Sequence, residues 1–256
     1  MNKLRALIFD VDGTLADTER DGHRVAFNRA FAEAGLDWNW TSDLYGDLLS
    51  VAGGKERIRF YLPKYRPEIP IPDDSFIAQL HATKTKYYGE LLGKGEIPLR
   101  TGVKRLISEA RSQGLRLAIA TTSALPNVLA LLENNLDSSW FEIIAAGDIV
   151  PAKKPAPDIY HYVLEKMDLK PQDCLVLEDS FHGLQASTAA DLPTIVTVNE
   201  YTKNQDFSTA LLVLSHLGEP EQPFTVLAGN AFDATYLDVE LLYRLHSLHS
   251  SNRPLA

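Results

Sequence analysis

Five short apolar runs along the chain are typical of buried parallel β-strands, since each is rich in Ile, Leu, Val or Ala. Several of the segments between them carry the i, i+3, i+4, i+7 spacing of amphipathic helices. This alternation predicts an α/β fold, a doubly wound, Rossmann-like parallel sheet with right-handed crossovers. The predicted strands span residues 4–10, 115–120, 142–145, 174–178 and 194–198, with a further candidate strand at 210–215 and an amphipathic helix at 237–248.

A long segment of mainly helical periodicity interrupts this alternation between the first and second strands. We therefore expect two domains. Residues 1–17 and 94–256 would form the α/β core, and residues 18–93 an inserted α-helical cap domain. The glycine- and proline-containing segment 93–98, GKGEIP, is a candidate hinge at its exit.

Charge and composition narrow the classes of function. The chain has 34 acidic and 25 basic residues and a net charge of −9, which disfavours nucleic acid as a partner. A single cysteine, Cys174, excludes an intramolecular disulfide, fits a reducing compartment, and opens an apolar run in which it is expected to pack as a small hydrophobe. The apolar runs are shorter than a membrane span, and the first residues lack the pattern of a secretion signal. We expect a monomeric cytoplasmic protein without a membrane partner.

Acidic residues gather where two predicted strands end. Asp10 closes the first strand in LIFDVDGTLADTE, and Asp12 lies two residues later, where Gly13 lets the chain turn. Glu178 and Asp179 close a distant strand in LVLEDS. Ligands of α/β sheets bind outside the carboxyl ends of the strands, so the four acids can share one site. Oxygen ligands at high charge density indicate Mg²⁺.

Two further strand ends offer groups that suit a phosphoryl group. Thr121 and Thr122 follow the second strand in AIATTS, and Lys153 and Lys154 lie in a loop before a predicted helix. Hydroxyl groups and an ammonium group beside a cation can neutralise a phosphoryl group during transfer. The pattern therefore predicts phosphoryl transfer at this edge of the sheet.

In that reaction Asp10 can attack phosphorus and form an aspartyl phosphate, while Asp12 serves as general acid and base. Each residue alone has a structural interpretation: a DxD is often a polar turn, Asp179 can cap the following helix, and the lysines can be solvated. The coincidence of complementary groups on four separate loops favours the catalytic interpretation.

DVDGT, a Thr after an apolar strand, a Lys before a helix and an ED pair after a later strand together resemble the four motifs of the haloacid dehalogenase superfamily. The helical segment resembles the small α-helical cap of that superfamily. GGKERI and AAGDIVPAKKPAPDIY are similar to its CbbY-like branch, which is associated with Rubisco. The resemblance spans residues 4 to about 201.

The resemblance implies that Asp10 is the nucleophile and Asp12 the general acid and base. It implies Mg²⁺ held by the Asp10 side chain, the backbone carbonyl of Asp12 and Asp179, with Glu178 nearby. It implies that Thr121 and Lys154 bind the transferring phosphate. Lys154 is preferred to Lys153 because it directly precedes the PAPD turn. The phosphate-binding residues expected on this basis are Thr121, Thr122 and Lys154.

The cap domain is then expected to bind the rest of the substrate, with cationic groups for a second, distal phosphate and a carboxylate for sugar hydroxyls. The structural alternative for Arg57 and Lys84 is a solvated position on a helix. His23 is expected to pack or to face solvent. The cap residues expected to bind substrate are Glu19, Gly53, Gly54, Lys55, Arg57 and Lys84.

CbbY-like proteins hydrolyse xylulose 1,5-bisphosphate to xylulose 5-phosphate and phosphate, so the resemblance implies that phosphosugar substrate. One alternative is a mutase similar to β-phosphoglucomutase, which shares the fold and the DxD. Such mutases carry a cap histidine ten residues after the second aspartate. Here that position is Gly22, and His23 follows one residue later, rotated by about 100° on an α-helix. The second alternative is a non-catalytic phosphosugar-binding protein on the same fold.

Overall fold

The computed structural model describes residues 3–51 and 53–252, without the side chains of residues 251 and 252. The chain divides into two compact units: a core unit of Met1–Asp17 and Pro98–Ala256, and a helical unit of Thr18–Ile97. The second boundary therefore lies four residues later than the expected 93/94. The reason is Ile97, which is buried in the helical unit with its Cδ1 directly over Gly22.

The helical unit is built around an aromatic core. Trp40 is fully buried, and its ring centroid lies 4.5 Å from that of Phe27 and 4.9 Å from that of Phe31. A π-helical turn, Thr18–His23, leads into the first helix. The helices are α1 Arg24–Glu33, α2 Ser42–Leu48, α3 Gly54–Tyr65 and α4 Asp74–Gly93.

The core unit contains one seven-stranded sheet of order β3-β2-β1-β4-β5-β6-β7, in which β7 is antiparallel to β6 and the other pairs are parallel. Phe9 is in register with Ile119 on one side and Leu177 on the other, so the three central strands end together. The strands are β1 Ala6–Phe9, β2 Arg116–Thr121, β3 Ile143–Ala146, β4 Cys174–Glu178, β5 Thr194–Thr197, β6 Leu212–Leu214 and β7 Val226–Gly229.

Helices connect and cover these strands. Ile159, Val163 and Met167 lie on one side of their helix and pack with small and branched side chains of the central strands, as their spacing predicts. The helices of the core unit are α5 Val103–Ser112, α6 Leu125–Glu133, α7 Asp158–Met167, α8 Phe181–Ala189 and α9 Val239–Asn252. No helix in the part of the chain that the structure describes combines the length and apolar character of a membrane span.

The prediction of a doubly wound α/β sheet is confirmed, with strand ends that differ from the predicted ones by no more than two residues and with two larger differences. The strand β7 was not predicted, because Val226 and Leu227 are both exposed and VLAG shows no alternation of apolar and polar residues. The last helix spans Val239–Asn252 instead of the predicted residues 237–248.

Candidate active site

Three carboxylates converge at the carboxyl edge of the sheet. Asp10 directly follows β1, Glu178 is the last residue of β4, and Asp179 follows it. Because β1 and β4 are paired in register, one carboxylate oxygen from each of the three residues lies within 4.8 Å of the others. The three residues are 7%, 0% and 5% exposed, respectively. Buried carboxylates at this separation repel one another unless a cation compensates them.

Lys154 supplies part of that compensation. Its Nζ donates to Asp10 Oδ1 and Glu178 Oε1, at 2.6 Å each, and to the carbonyl of Ala120 at 2.9 Å. Lys153, by contrast, forms an exposed ion pair with Asp148. The structure thus places the second of the two adjacent lysines among the carboxylates, and the first at the surface.

Glu178 is held in place from two directions. The buried Tyr160 hydroxyl donates to Glu178 Oε1 at 2.6 Å. On the other side, a Cβ at Gly183 would lie only 2.0 Å from the Glu178 carboxyl group, so only glycine leaves room for it. Neither residue was identified from the sequence, although Tyr160 lies within PAPDIY and Gly183 within LEDSFHGL.

Asp12 lies beside the end of β2. The Ser123 hydroxyl donates to Asp12 Oδ2, and the Ser123 backbone N–H donates to the Thr121 hydroxyl at 3.2 Å. Thr121 is buried, whereas Thr122 is exposed. Of the three hydroxyl residues in TTS, the unpredicted Ser123 is therefore the one that orients the candidate acid and base.

Asp179 is enclosed by Gly13 and Asn199. Asn199 Nδ2 donates to Asp179 Oδ2 at 2.7 Å. Gly13 has φ +85°, a backbone conformation that favours glycine, and a Cβ there would lie 2.2 Å from Asp179 Oδ2. The turn after Asp12 therefore requires glycine for its backbone conformation and for its close approach to Asp179. Asn199 was also missed, although a polar residue just past a predicted strand end was a usable signal.

Burial sets the electrostatics of the cluster. It raises the pKa of Asp10 to about 8, with Lys154 acting in the opposite direction and Glu178 and Asp12 adding to the rise. Burial also raises the pKa of Asp179 well above its usual value, and Asp10 and Glu178 contribute. Burial disfavours the charged form of Lys154, yet its pKa is raised well above the usual value because Asp10 and Glu178 lie beside it. Three buried acids, only two of which contact the Lys154 ammonium group, are a donor set that fits a divalent cation with oxygen ligands.

Glu19 and Arg57 of the helical unit are joined through Tyr45. The Tyr45 hydroxyl donates to Glu19 Oε2 at 2.6 Å and accepts from Arg57 Nη1 at 3.0 Å. Arg57 Nε also donates to the Val51 carbonyl at 3.0 Å. The solvated alternative for Arg57 is therefore wrong, since its side chain is only 14% exposed and is committed to these contacts.

Lys84 is buried as well, so its solvated alternative is also wrong. Its Nζ lies 2.7 Å from His23 Nδ1 and over the rings of Phe27 and Tyr88. His23 stacks on Tyr88 with a centroid distance of 3.8 Å. The 100° rotation of His23 relative to Gly22 was inferred for an α-helix. Residues 18–23 instead form a π-helical turn, which contains about one residue more per turn, so the α-helical angle does not apply.

The remaining predicted cap residues lie at the start of α3. Lys55 is exposed there. Gly53 has φ +93°, and a Cβ at Gly54 would lie 2.6 Å from the His81 ring. The glycines are thus required by the turn and by close packing within the helical unit, which is the structural explanation for GGKERI.

Comparison with known proteins identifies the family. Residues 4–191 match the family model of the haloacid dehalogenase-like hydrolases. The chain belongs to this family. The predicted hydrolase class is therefore confirmed, and relatives named as phosphatases support hydrolysis of phosphoric monoesters.

The relatives of this hydrolase point to one branch. It is 50% identical to the protein CbbY of Cupriavidus necator over 225 aligned residues. The alignment covers 86% of this chain and 88% of that protein. A crystal structure of a CbbY variant from Rhodobacter sphaeroides in complex with xylulose-(1,5)bisphosphate has 44% identity and a TM-score of 0.69, over 83% of this chain and 94% of that one. A phosphatase of phosphorylated carbohydrates from Thermotoga maritima is 30% identical over 76% of this chain and 85% of its own length. These matches confirm the predicted likeness to the CbbY-like branch.

Proposed function

We propose that this hydrolase is a Mg²⁺-dependent phosphatase of a small phosphorylated sugar, and that it converts xylulose 1,5-bisphosphate to xylulose 5-phosphate and phosphate. The observation that carries the proposal is the convergence of Asp10, Glu178 and Asp179 around Lys154 in a buried position. The complex of the Rhodobacter relative with xylulose bisphosphate supports the choice of sugar.

The residues proposed to hold Mg²⁺ are Asp10, Asp179 and Glu178, with the backbone carbonyl of Asp12. A bound Mg²⁺ would act as a Lewis acid on the phosphoryl oxygens. The donor set consists of oxygen atoms only, as this hard cation prefers.

In the proposed reaction the Asp10 carboxylate attacks phosphorus, the bond from phosphorus to the sugar oxygen breaks, and Asp12 gives its proton to that oxygen. Asp12 then takes a proton from water, which attacks the aspartyl phosphate and releases phosphate and the Asp10 carboxylate. Ser123 holds the Asp12 side chain for both transfers, and Thr121 and Lys154 bind the phosphoryl group. Lys154 already donates to Asp10, so the ammonium is in place to neutralise charge that develops there.

The helical unit is proposed to select the sugar. Lys55, as an exposed cation at the start of α3, is proposed to bind the distal phosphate, with backbone amides of Gly53 and Gly54 contributing. Glu19 is proposed to accept from sugar hydroxyls, with Arg57 orienting it through Tyr45. Lys84 would act from its position beside His23.

The test is a parallel rate comparison with Mg²⁺ on xylulose 1,5-bisphosphate, ribulose 1,5-bisphosphate, fructose 1,6-bisphosphate and β-glucose 1-phosphate. We expect phosphate release to be fastest from the xylulose compound, by at least about tenfold in kcat/KM, a difference of about 1.4 kcal/mol. Conversion of β-glucose 1-phosphate to glucose 6-phosphate without phosphate release would favour the mutase. Absence of phosphate release from all four and from an aryl phosphate would favour a non-catalytic binding protein.

A further inference from the structure

Arg100 is a buried cation that the motifs do not account for. Its side chain is 8% exposed, and it lies two residues after the chain re-enters the core unit. Its backbone N–H donates to the Leu15 carbonyl at 2.8 Å, which ties it to the segment that follows the DxD. A charged side chain in such a position must be compensated by acceptors, and one of them is Asp17, whose Oδ1 lies 3.2 Å from Arg100 Nε.

The guanidinium of Arg100 binds the backbone of several separate segments. Nη1 donates to the Gly13 carbonyl and, at 3.0 Å, to the Thr197 carbonyl. Nη2 donates to the carbonyls of Val198 at 2.5 Å and Ser215 at 3.2 Å. The planar fork of an arginine can serve several acceptors at once, which the single ammonium of a lysine cannot reproduce.

Two of these segments enclose Asp179. Gly13 approaches it so closely that a Cβ would lie 2.2 Å from Asp179 Oδ2. Val198 directly precedes Asn199, whose Nδ2 donates to that same oxygen at 2.7 Å. Arg100 therefore holds the backbone on both sides of the Asp179 carboxylate, without contacting the carboxylate through any of these bonds.

We propose that Arg100 is a positioning residue for the cation site. It fixes the backbone at Gly13 and next to Asn199, so that the Asp179 carboxylate is held in an orientation that can bind Mg²⁺. The inference rests on the proposed function, in which Asp179 is a ligand of Mg²⁺. It predicts that the affinity for the metal depends on a residue that does not touch it, as is general for groups that orient metal ligands.

Arg105 provides a matched control within the same unit. It also donates to backbone carbonyls, those of Gly218 at 2.7 Å and Leu237 at 3.0 Å, and it pairs with Glu219 at 2.9 Å. These contacts hold the segments around Gly218 and Leu237 against α5 and involve none of the carboxylates of the cluster. Replacing either arginine by lysine removes a carbonyl-binding fork, but only Arg100→Lys loosens the segments around Asp179.

The experiment measures Mg²⁺ binding to the full chain by isothermal titration calorimetry, with Mg²⁺ alone as the probe, and stability by urea unfolding without Mg²⁺. We expect Arg100→Lys to weaken Mg²⁺ binding by about tenfold or more, and Arg105→Lys to change it by less than about twofold. Asn199→Ala should weaken binding to a similar degree, and the double variant Arg100→Lys/Asn199→Ala by less than the product of the two effects, because both act on one carboxylate.

The outcomes separate this inference from the proposed function. If Asp179→Asn leaves Mg²⁺ binding unchanged, the proposed metal site is wrong. If Asp179→Asn abolishes binding while Arg100→Lys behaves like Arg105→Lys, the role of Arg100 is structural only and the inference is overturned. Should Arg100→Lys fail to fold, Asn199→Ala decides, since unchanged affinity in that variant contradicts the positioning of Asp179 through Asn199.

Discussion

The charged groups at the carboxyl edge of the sheet and those of the helical unit are arranged in opposite ways. At the sheet edge, three buried carboxylates converge and Lys154 contacts two of them, so like charges remain close together. In the helical unit, Arg57 reaches Glu19 through Tyr45, and Lys84 lies between His23 and aromatic rings. Buried carboxylates that exceed the nearby positive charge are typical of a cation-binding site, whereas an arginine joined to a carboxylate, as Arg57 is to Glu19, is compatible with a purely structural role.

The largest effect should come from the carboxylate that is proposed to react. Asp10→Asn is expected to lower phosphate release from an aryl phosphate by roughly 10⁴-fold or more, because an amide is a poor nucleophile. Circular dichroism should show an unchanged fold. Asp148→Asn, which removes an exposed acid of the same unit, is the control and should retain activity. Near-normal turnover by Asp10→Asn would remove the nucleophile from the proposal.

The two adjacent lysines provide the next test. Lys154→Met should reduce turnover by roughly 10²–10⁴-fold, the range found when one charge-stabilising group is lost. It should also lower stability without metal, because the buried Asp10 and Glu178 lose their shared cation. Lys153→Met removes only an exposed ion pair and should stay within about twofold in rate and 0.5 kcal/mol in stability. Equal effects of the two substitutions would contradict the distinction between the sites.

The sequence was sufficient to predict the groups of the core site that lie at strand ends. Parallel strands place their carboxyl ends at one edge, so Asp10, Glu178 and Asp179 were expected to meet before their distances were known. The preference for Lys154 over Lys153 came from the resemblance, in which the lysine directly precedes the PAPD turn, and the structure places Lys154 Nζ 2.6 Å from Asp10 Oδ1. Local pattern and sheet topology are enough when the strands are short, apolar and central.

Some of the features that were missed depend on tertiary contacts and carry no motif of their own. Arg100 is a lone arginine at the end of a connecting segment, and its acceptors lie as far away as Ser215. The exposed strand β7 has no periodicity to detect. In the π-helical turn before α1, Gly22 lies directly against the side chains of Tyr88 and Ile97, a close approach that a helical pattern does not reveal. For the same reason, the phase of His23 was misjudged.

A moderate effect is expected from a glycine that leaves space for a carboxylate. Gly183→Ala places a methyl group against Glu178 and should cost about 1–3 kcal/mol of unfolding free energy, together with weaker Mg²⁺ binding. Gly89→Ala on α4 is the matched control in the other unit, since a Cβ there meets no atom within 4 Å. It should instead stabilise by about 0.5–1 kcal/mol through helix propensity. Urea unfolding measures both, and a neutral Gly183→Ala would show that Glu178 can move without loss.

The smallest effect concerns Lys55 and tests whether the helical unit binds substrate. Unlike Arg57 and Lys84, it is exposed, so its removal leaves no buried partner unpaired and isolates its contribution to substrate binding. Lys55→Ala should lower kcat/KM for xylulose 1,5-bisphosphate by about tenfold, or 1.4 kcal/mol, and for an aryl phosphate by less than about twofold. Lys64→Ala, from the last turn of the same helix, should lower neither. If Lys55→Ala lowered kcat/KM equally for both substrates, the cation would not recognise a second phosphate, and the choice of a bisphosphate would have to rest on the less exposed cations Arg57 and Lys84.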